Sequence, residues 1–122
     1  MSGELLLLVD DDEAVAEGLA MILSLEGFRI QTVARGRPVP GLVNHMEPDV
    51  VIMDVTLPDI DGVTVARELR RTRLGLPIIL MTGHDVARVA ETLEGEKQIH
   101  MLQKPFDVRD LVDLIRRILA RA

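Results

Sequence analysis

The chain of 122 residues contains no cysteine. That excludes disulfides, a cysteine nucleophile and any thiolate metal site, and it fits a reducing compartment. A metal bound here must be held by oxygen. No dense stripe of lysine and arginine is present and the formal net charge is −6, so neither a nucleic acid nor an anionic membrane is expected as a direct partner. The N-terminus has no basic stretch leading into a cleavable apolar segment, and no apolar run approaches the roughly 20 residues that span a bilayer. Internal repeats, low-complexity tracts and interdomain linkers are also missing. What remains is a soluble cytoplasmic protein with a single domain over 1–122, long enough to bury one core and too short for two.

What the sequence does contain is an alternation. Short apolar runs at 5–9, 29–34, 50–53, 78–81 and 99–102 have strand length, and several are rich in valine and isoleucine. Between them apolar residues recur at helical spacing. In the last such stretch Val108, Leu111, Val112, Ile115, Ile118 and Leu119 form one stripe, with Arg109, Asp113, Arg116 and Arg117 off it. Five βα units in this order predict an α/β fold with a parallel sheet covered by helices on both faces. The second helix is expected to be short, starting near Pro38 or Pro40 in the stretch "RGRPVPG".

The polar residues acquire meaning on that scheme. The opening "LLLLVDDDE" runs an apolar strand into consecutive acids. Two like charges about 4 Å apart oppose each other by about 4 kcal/mol at an effective dielectric near 20. Asp10 and Asp11 follow the first strand, Asp54 the third, Thr82 the fourth and Lys104 the fifth, all at carboxyl ends. Ligands bind outside those ends in open α/β sheets, and a doubly wound five-stranded sheet commonly has the order 2-1-3-4-5. Strands one and three are then neighbours, and their carboxylates converge into a site for a hard divalent cation. Singly, each residue has an ordinary explanation. The acids can cap a helix, Asp54 can open a turn, and Thr82 and Lys104 can be loop residues. Five such groups at corresponding strand ends point instead to one site.

The ordered set "LVDDDE", "DVVIMDVTLPDIDG", "PIILMTG" and "LQKPF" resembles the receiver domain of two-component response regulators over essentially the whole chain. The resemblance implies a flavodoxin-like fold in which Asp54 accepts a phosphoryl group from a phosphohistidine of a sensor histidine kinase or a histidine phosphotransfer domain. It implies Mg2+ held by Asp10, Asp11, Asp54 and the backbone carbonyl of Thr56. It further implies that Thr82 binds the phosphoryl group, that Lys104 pairs with it, and that the bond before Pro105 is cis. Such a domain is not an enzyme, beyond assisting its own phosphorylation and dephosphorylation. The chemistry agrees with these roles: a carboxylate attacking a phosphorylated imidazole brings two anions together, so a cation and Lys104 must neutralise charge. No output module is expected within 1–122. The stretches "GELLLLVDDDEA" and "LQKPF" look like receivers of hybrid sensor histidine kinases, although a free-standing regulator would read almost the same.

Four features depart from the family pattern or extend it. Met101 stands where many receivers carry the aromatic residue of the switch, and it either repacks on activation or simply fills the core. The segment "EGEKQIHM" replaces the usual short approach to the fifth strand. His84 and Thr56 flank the predicted phosphoryl site, where they either tune phosphate loss or are ordinary loop residues. In the first helix Val15, Leu19, Ile22 and Leu23 are read as the core stripe, while Ala14, Gly18, Met21 and Leu25 form a second apolar face suited to a partner's helices. Two readings compete with a phosphoacceptor. One is a Mg2+-dependent phosphatase working through an aspartyl phosphate, opposed by Thr56 standing where a second, general-acid aspartate would be needed. The other is a pseudo-receiver that only binds partners, opposed by intact Asp54, Thr82 and Lys104.

Overall fold

Leu6, Leu7, Leu8 and Val9 are all fully buried, because β1 (Leu5–Val9) lies inside a parallel sheet that is covered on both faces. Strands of that kind need no alternation of apolar and polar residues. The computed structural model describes residues 3–83 and 86–121. After β1 come α1 (Glu13–Leu25), β2 (Arg29–Val33), α2 (Val39–Met46), β3 (Val50–Asp54), α3 (Gly62–Thr72), β4 (Ile78–Thr82), α4 (Val86–Thr92), β5 (Ile99–Gln103) and α5 (Val108–Ala120). The sheet order is β2-β1-β3-β4-β5 with every pairing parallel, as the alternation predicts.

Successive side chains on a strand point to opposite faces, and this divides the interior in two. Leu6, Leu8, Val50, Ile52, Ile79 and Met81 pack with Leu19 and Leu23 of α1 and Leu111 and Ile115 of α5. Leu7, Val9, Val51, Met53, Ile78 and Leu80 pack with Val39 and Val43 of α2 and Val65, Ala66 and Leu69 of α3. Each fully buried aliphatic side chain contributes about 1.5–3 kcal/mol relative to exposure. The edge strand β2 leaves Arg29, Gln31 and Thr32 exposed, polar groups that discourage pairing with another sheet.

Among the described residues three helices start on an aspartate cap. Asp12 accepts from Val15 N, Asp61 from Val63 N and Asp107 from Arg109 N, each cap contributing about 1 kcal/mol. Asp12 thereby accounts for one acid of the opening run as local helix chemistry. The short second helix begins at Val39, between the two prolines, with Pro38 as its N-cap. β3, β4 and β5 each extend one residue past the predicted run, so Asp54 and Thr82 end strands rather than follow them, and β2 stops at Val33.

The core stripe of α1 differs from expectation. Val15 and Ile22 are 42% and 38% exposed, and the buried line is Ala16, Leu19 and Leu23. With spacings of three and four, that line faces the sheet directly and turns Val15 and Ile22 onto its flank. The second face lies outward as predicted: Ala14 and Gly18 are exposed, as are Met21 at 67% and Leu25 at 82%. Among the described residues no helix is long and apolar enough to cross a membrane.

Candidate functional site

The register of β1 against β3 pairs Val9 with Met53, so the residues that follow, Asp10 and Asp54, emerge side by side at the carboxyl edge. Asp10 is 3% exposed. Its backbone N donates to Val33 O at 3.1 Å, and its Oδ1 accepts from Asp12 N at 2.9 Å. Its Oδ2 is buried and has no hydrogen-bond partner among the described residues. Burial raises the pKa of Asp10; the Asp12 N–H and Lys104 oppose that rise, while Asp54 and Asp11 add to it. Asp54 is also buried. Its Oδ1 accepts from Thr56 N at 3.0 Å and its Oδ2 from Lys104 Nζ at 2.6 Å. Asp11 is exposed and completes the group: one oxygen each from Asp10, Asp11 and Asp54 lie within 4.8 Å of one another.

Lys104 follows β5, and its backbone N donates to Thr82 O at 2.8 Å, bringing the ends of β4 and β5 together. Thr82 is buried beside β3, whose Asp54 pairs with Met81. The Lys104 ammonium reaches Asp54 and stands 3.9 Å from Asp10 Oδ2. Burial by itself would lower the Lys104 pKa, but the hydrogen bond to Asp54 and the charges of Asp54, Asp10 and Asp11 together raise it. The Lys104–Pro105 bond is cis. Met101 is half-buried on the opposite side of β5, packed against the cluster that also receives Val89 and Ile99. His84 lies outside the described residues.

One ammonium facing three carboxylates leaves an excess of negative charge beside Asp10 Oδ2, a buried oxygen with no hydrogen-bond partner among the described residues. An all-oxygen donor set of two buried carboxylates and one exposed carboxylate suits a hard divalent ion such as Mg2+. The residues present therefore fit that ion.

Four participants escaped the sequence reading. Asp59 accepts from Gly36 N at 2.9 Å and Arg37 N at 2.8 Å, tying the β3–α3 loop to the β2–α2 loop. A Cβ on Gly36 would stand 2.5 Å from Ile60 Cγ2, so this close approach requires glycine. A Cβ on Gly62 would collide with the backbone of Asp54 and Val55, which fixes the start of α3 directly against the end of β3. Arg70 is buried in α3 and donates to the carbonyls of Arg73, Leu74, Leu76 and Gln98. The "DIDG" stretch signals a turn, but nothing in the sequence identifies distant backbone groups as partners.

Two openings border the ends of β3, β4 and β5. An apolar one of about 600 Å³ is bordered by Val15, Leu19, Lys104, Pro105 and Phe106. A polar one of about 550 Å³ lies between α3 and α4 and reaches Thr56 and Thr82.

Comparison with known proteins places this geometry in context. A family model described as Response regulator receiver domain matches residues 6–116. Response regulator MprA of Mycolicibacterium vanbaalenii is 38% identical over 118 residues, covering 95% of this chain and 50% of that protein. Transcriptional regulatory protein AfsQ1 of Streptomyces coelicolor is 39% identical over 117 residues, covering 95% of this chain and 51% of that protein. The chain thus spans about half the length of these curated relatives. The crystal structure of a CheY-like response regulator receiver domain protein from Methanospirillum hungatei superposes with a TM-score of 0.90 at 25% identity, covering 98% of this chain and 96% of that one.

Proposed function

The chain belongs to the response regulator receiver domain family, and from that membership we propose that Asp54 takes a phosphoryl group from a phosphohistidine of a sensor histidine kinase or histidine phosphotransfer domain. Asp10, Asp11, Asp54 and the Thr56 carbonyl would hold Mg2+, whose charge offsets that of the phosphoryl oxygens as they approach the carboxylates. The observation that carries this reading is the 2.6 Å contact of Lys104 Nζ with Asp54 Oδ2 beside Asp10 Oδ2, which has no hydrogen bond among the described residues.

The chain's own residues then have separate tasks. Asp54 supplies the nucleophilic oxygen: a P–O bond forms as the P–N bond to the imidazole breaks. The Thr56 N–H holds Asp54 Oδ1 and orients the carboxylate. Lys104 stays protonated and neutralises one charge. After transfer its ammonium and the Thr82 hydroxyl receive phosphoryl oxygens, because the new group carries about −1.5 to −2 charge and strong acceptors. Drawing Thr82 towards Asp54 moves the start of the β4–α4 connection. The helix α4 that follows has no buried residue, so little packing resists a shift there, and the surface around it is the proposed readout.

The partner's docking face is the outward side of α1, with Ala14, Gly18, Met21 and Leu25 joined by Val15, which also borders the apolar opening. Exposed apolar side chains at helical spacing beside a groove suit a partner's helix. The domain assists only its own phosphorylation and dephosphorylation and, within these residues, contacts no nucleic acid.

Incubation with Mg2+ and acetyl phosphate or phosphoramidate, followed by intact-mass measurement, tests the assignment. One added phosphoryl group is expected on the wild type and none on Asp54→Asn or in the presence of chelator. Labelling that persists in Asp54→Asn overturns the choice of acceptor.

A further inference from the structure

The loop that carries Thr56 is fastened at its base and at its tip. At the base Val55 N donates to Met81 O at 2.9 Å and Gly62 N to Val55 O at 2.8 Å, while Asp61 caps α3 through Val63 N. At the tip both carboxylate oxygens of Asp59 reach out of the loop. Its Oδ1 accepts from Gly36 N at 2.9 Å and its Oδ2 from Arg37 N at 2.8 Å. Leu57 and Ile60 press on the same turn, since a Cβ on Gly36 would stand 3.0 Å from Leu57 Cδ1 and 2.5 Å from Ile60 Cγ2. Thr56 itself is exposed. Its place is therefore set on one side by Asp54, whose Oδ1 accepts its N–H, and on the other by the anchored residues 57–60.

The reach of Asp59 follows from the topology. The sheet order puts β1 between β2 and β3, so Asp59 joins the loops on either side of the strand that leads into Asp10. The helix α2 begins on Pro38 and has no side-chain cap of its own. Asp59 supplies a carboxylate just ahead of it, on a turn whose Gly36 O accepts from Val39 N at 3.0 Å, and negative charge is favoured near a helix N-terminus. The helix that lacks an acid at its start thus obtains one from the loop of the site.

A backbone carbonyl on an exposed loop meets an ion best when the loop is held before the ion arrives, and groups behind the ligands set the affinity for a metal. We propose that Asp59 is a positioning residue of the metal and acceptor site, holding the β3–α3 loop where Thr56 meets Asp54 and coupling the β2–α2 turn to occupancy of that site. This rests on the reading of Asp10, Asp11, Asp54 and Thr56 as the site of Mg2+ and phosphoryl transfer. Coupling between two sites is reciprocal. The clamp that favours Mg2+ is itself strengthened when Mg2+ binds, a link that a contact serving only the stability of the fold does not have.

The experiment compares the wild type with Asp59→Ala, Asp59→Asn and Asp49→Ala. Asp49 accepts from Leu5 N at 2.7 Å at the opposite end of the sheet, so its loss weakens the fold away from the site. In Mg2+ titrations followed by amide shifts, Asp59→Ala should bind about 5–10-fold more weakly than the wild type. Asp59→Asn, which keeps one acceptor oxygen, should fall between the two, and Asp49→Ala should stay within about twofold of the wild type. The Thr56 amide should already be displaced in metal-free Asp59→Ala. In the wild type Mg2+ should slow hydrogen exchange at Gly36 and Arg37, and in Asp59→Ala it should leave exchange there unchanged. Labelling of Asp59→Ala by acetyl phosphate should need more Mg2+ and return to within about twofold of the wild-type rate once Mg2+ saturates. Wild-type Mg2+ affinity in Asp59→Ala overturns the proposal, as does an equal loss in Asp49→Ala or wild-type exchange at Gly36 and Arg37 that ignores Mg2+. Any of these in a protein whose Asp54 is still labelled in a Mg2+-dependent way overturns the clamp alone. A wild type that neither binds Mg2+ nor is labelled overturns the reading of the site with it.

Discussion

Lys104 Nζ lies 2.6 Å from Asp54 Oδ2 and 3.9 Å from Asp10 Oδ2, so the ammonium serves the carboxylate of β3, and the buried oxygen of the carboxylate after β1 has no hydrogen bond among the described residues. The proposed acceptor and the lysine that answers it are thus already paired before any phosphoryl group arrives.

Asp10 should trade stability for metal binding. Its folded pKa is raised above 3.8, mainly by burial. Its stabilising contribution is therefore complete below the unfolded value and lost as pH rises through the folded one, leaving the ionised carboxylate unfavourable at neutral pH. Asp10→Asn keeps an oxygen for Asp12 N. It should raise the metal-free melting temperature by a few degrees, about 1 kcal/mol, and reduce the further rise that Mg2+ gives. Thermal melts with and without Mg2+ measure both. A variant that melts lower without metal yet gains as much from Mg2+ would contradict the repulsive cluster.

Arg70 should be among the most costly residues to replace outside the apolar core. Its buried guanidinium donates to carbonyls in the α3–β4 connection and to Gln98 O, closing the turn that enters β4 and fixing the approach to β5. Arg70→Met strands those carbonyls and should cost about 2–4 kcal/mol in urea unfolding. Arg70→Lys should recover only part, since an ammonium lacks the planar fork. A loss below about 0.5 kcal/mol, the level of an ordinary surface change, would mean the carbonyls find other donors.

His100 should make the fold sensitive to mild acid. Burial lowers its pKa below 6.5, with Arg121 and Arg117 pushing the same way. Below about pH 6.5 the unfolded chain takes up a proton that the folded chain refuses, so stability present above that value is lost as pH falls towards the folded pKa. Replacing His100 with Leu should flatten stability against pH between about 7 and 5 relative to wild type. Parallel curves for the two proteins would show that His100 charges equally in both states.

Met101 should move little on activation. It packs with the cluster that holds Val89 and Ile99 and has no ring to turn inward when Thr82 shifts. A beryllofluoride phosphoryl mimic should therefore shift the amides of Thr82, Gly83 and α4 more than those of His100, Met101 and Leu102. The reverse pattern in amide spectra would place the switch on β5.

Much of this protein was legible in its sequence because the relevant signals are local. Uninterrupted apolar runs marked strands buried on both faces, and the one-sided stripe from Val108 to Leu119 marked a helix covering the sheet. Once those elements are ordered as βα units, Asp10, Asp54, Thr82 and Lys104 fall at the carboxyl edge whatever their side chains do. The tertiary structure alone decided three further matters. It set the rotation of α1, burying Ala16 and exposing Val15 and Ile22, because a helix apolar nearly all round has no sequence signal for which side meets the sheet. It gave Asp59 and Arg70 their partners, which are backbone N–H and C=O groups that every kind of residue carries and no pattern distinguishes. And it set Lys104 nearer to Asp54 than to Asp10, a difference of 1.3 Å that depends on how the end of β5 packs against β4 rather than on which residues are present.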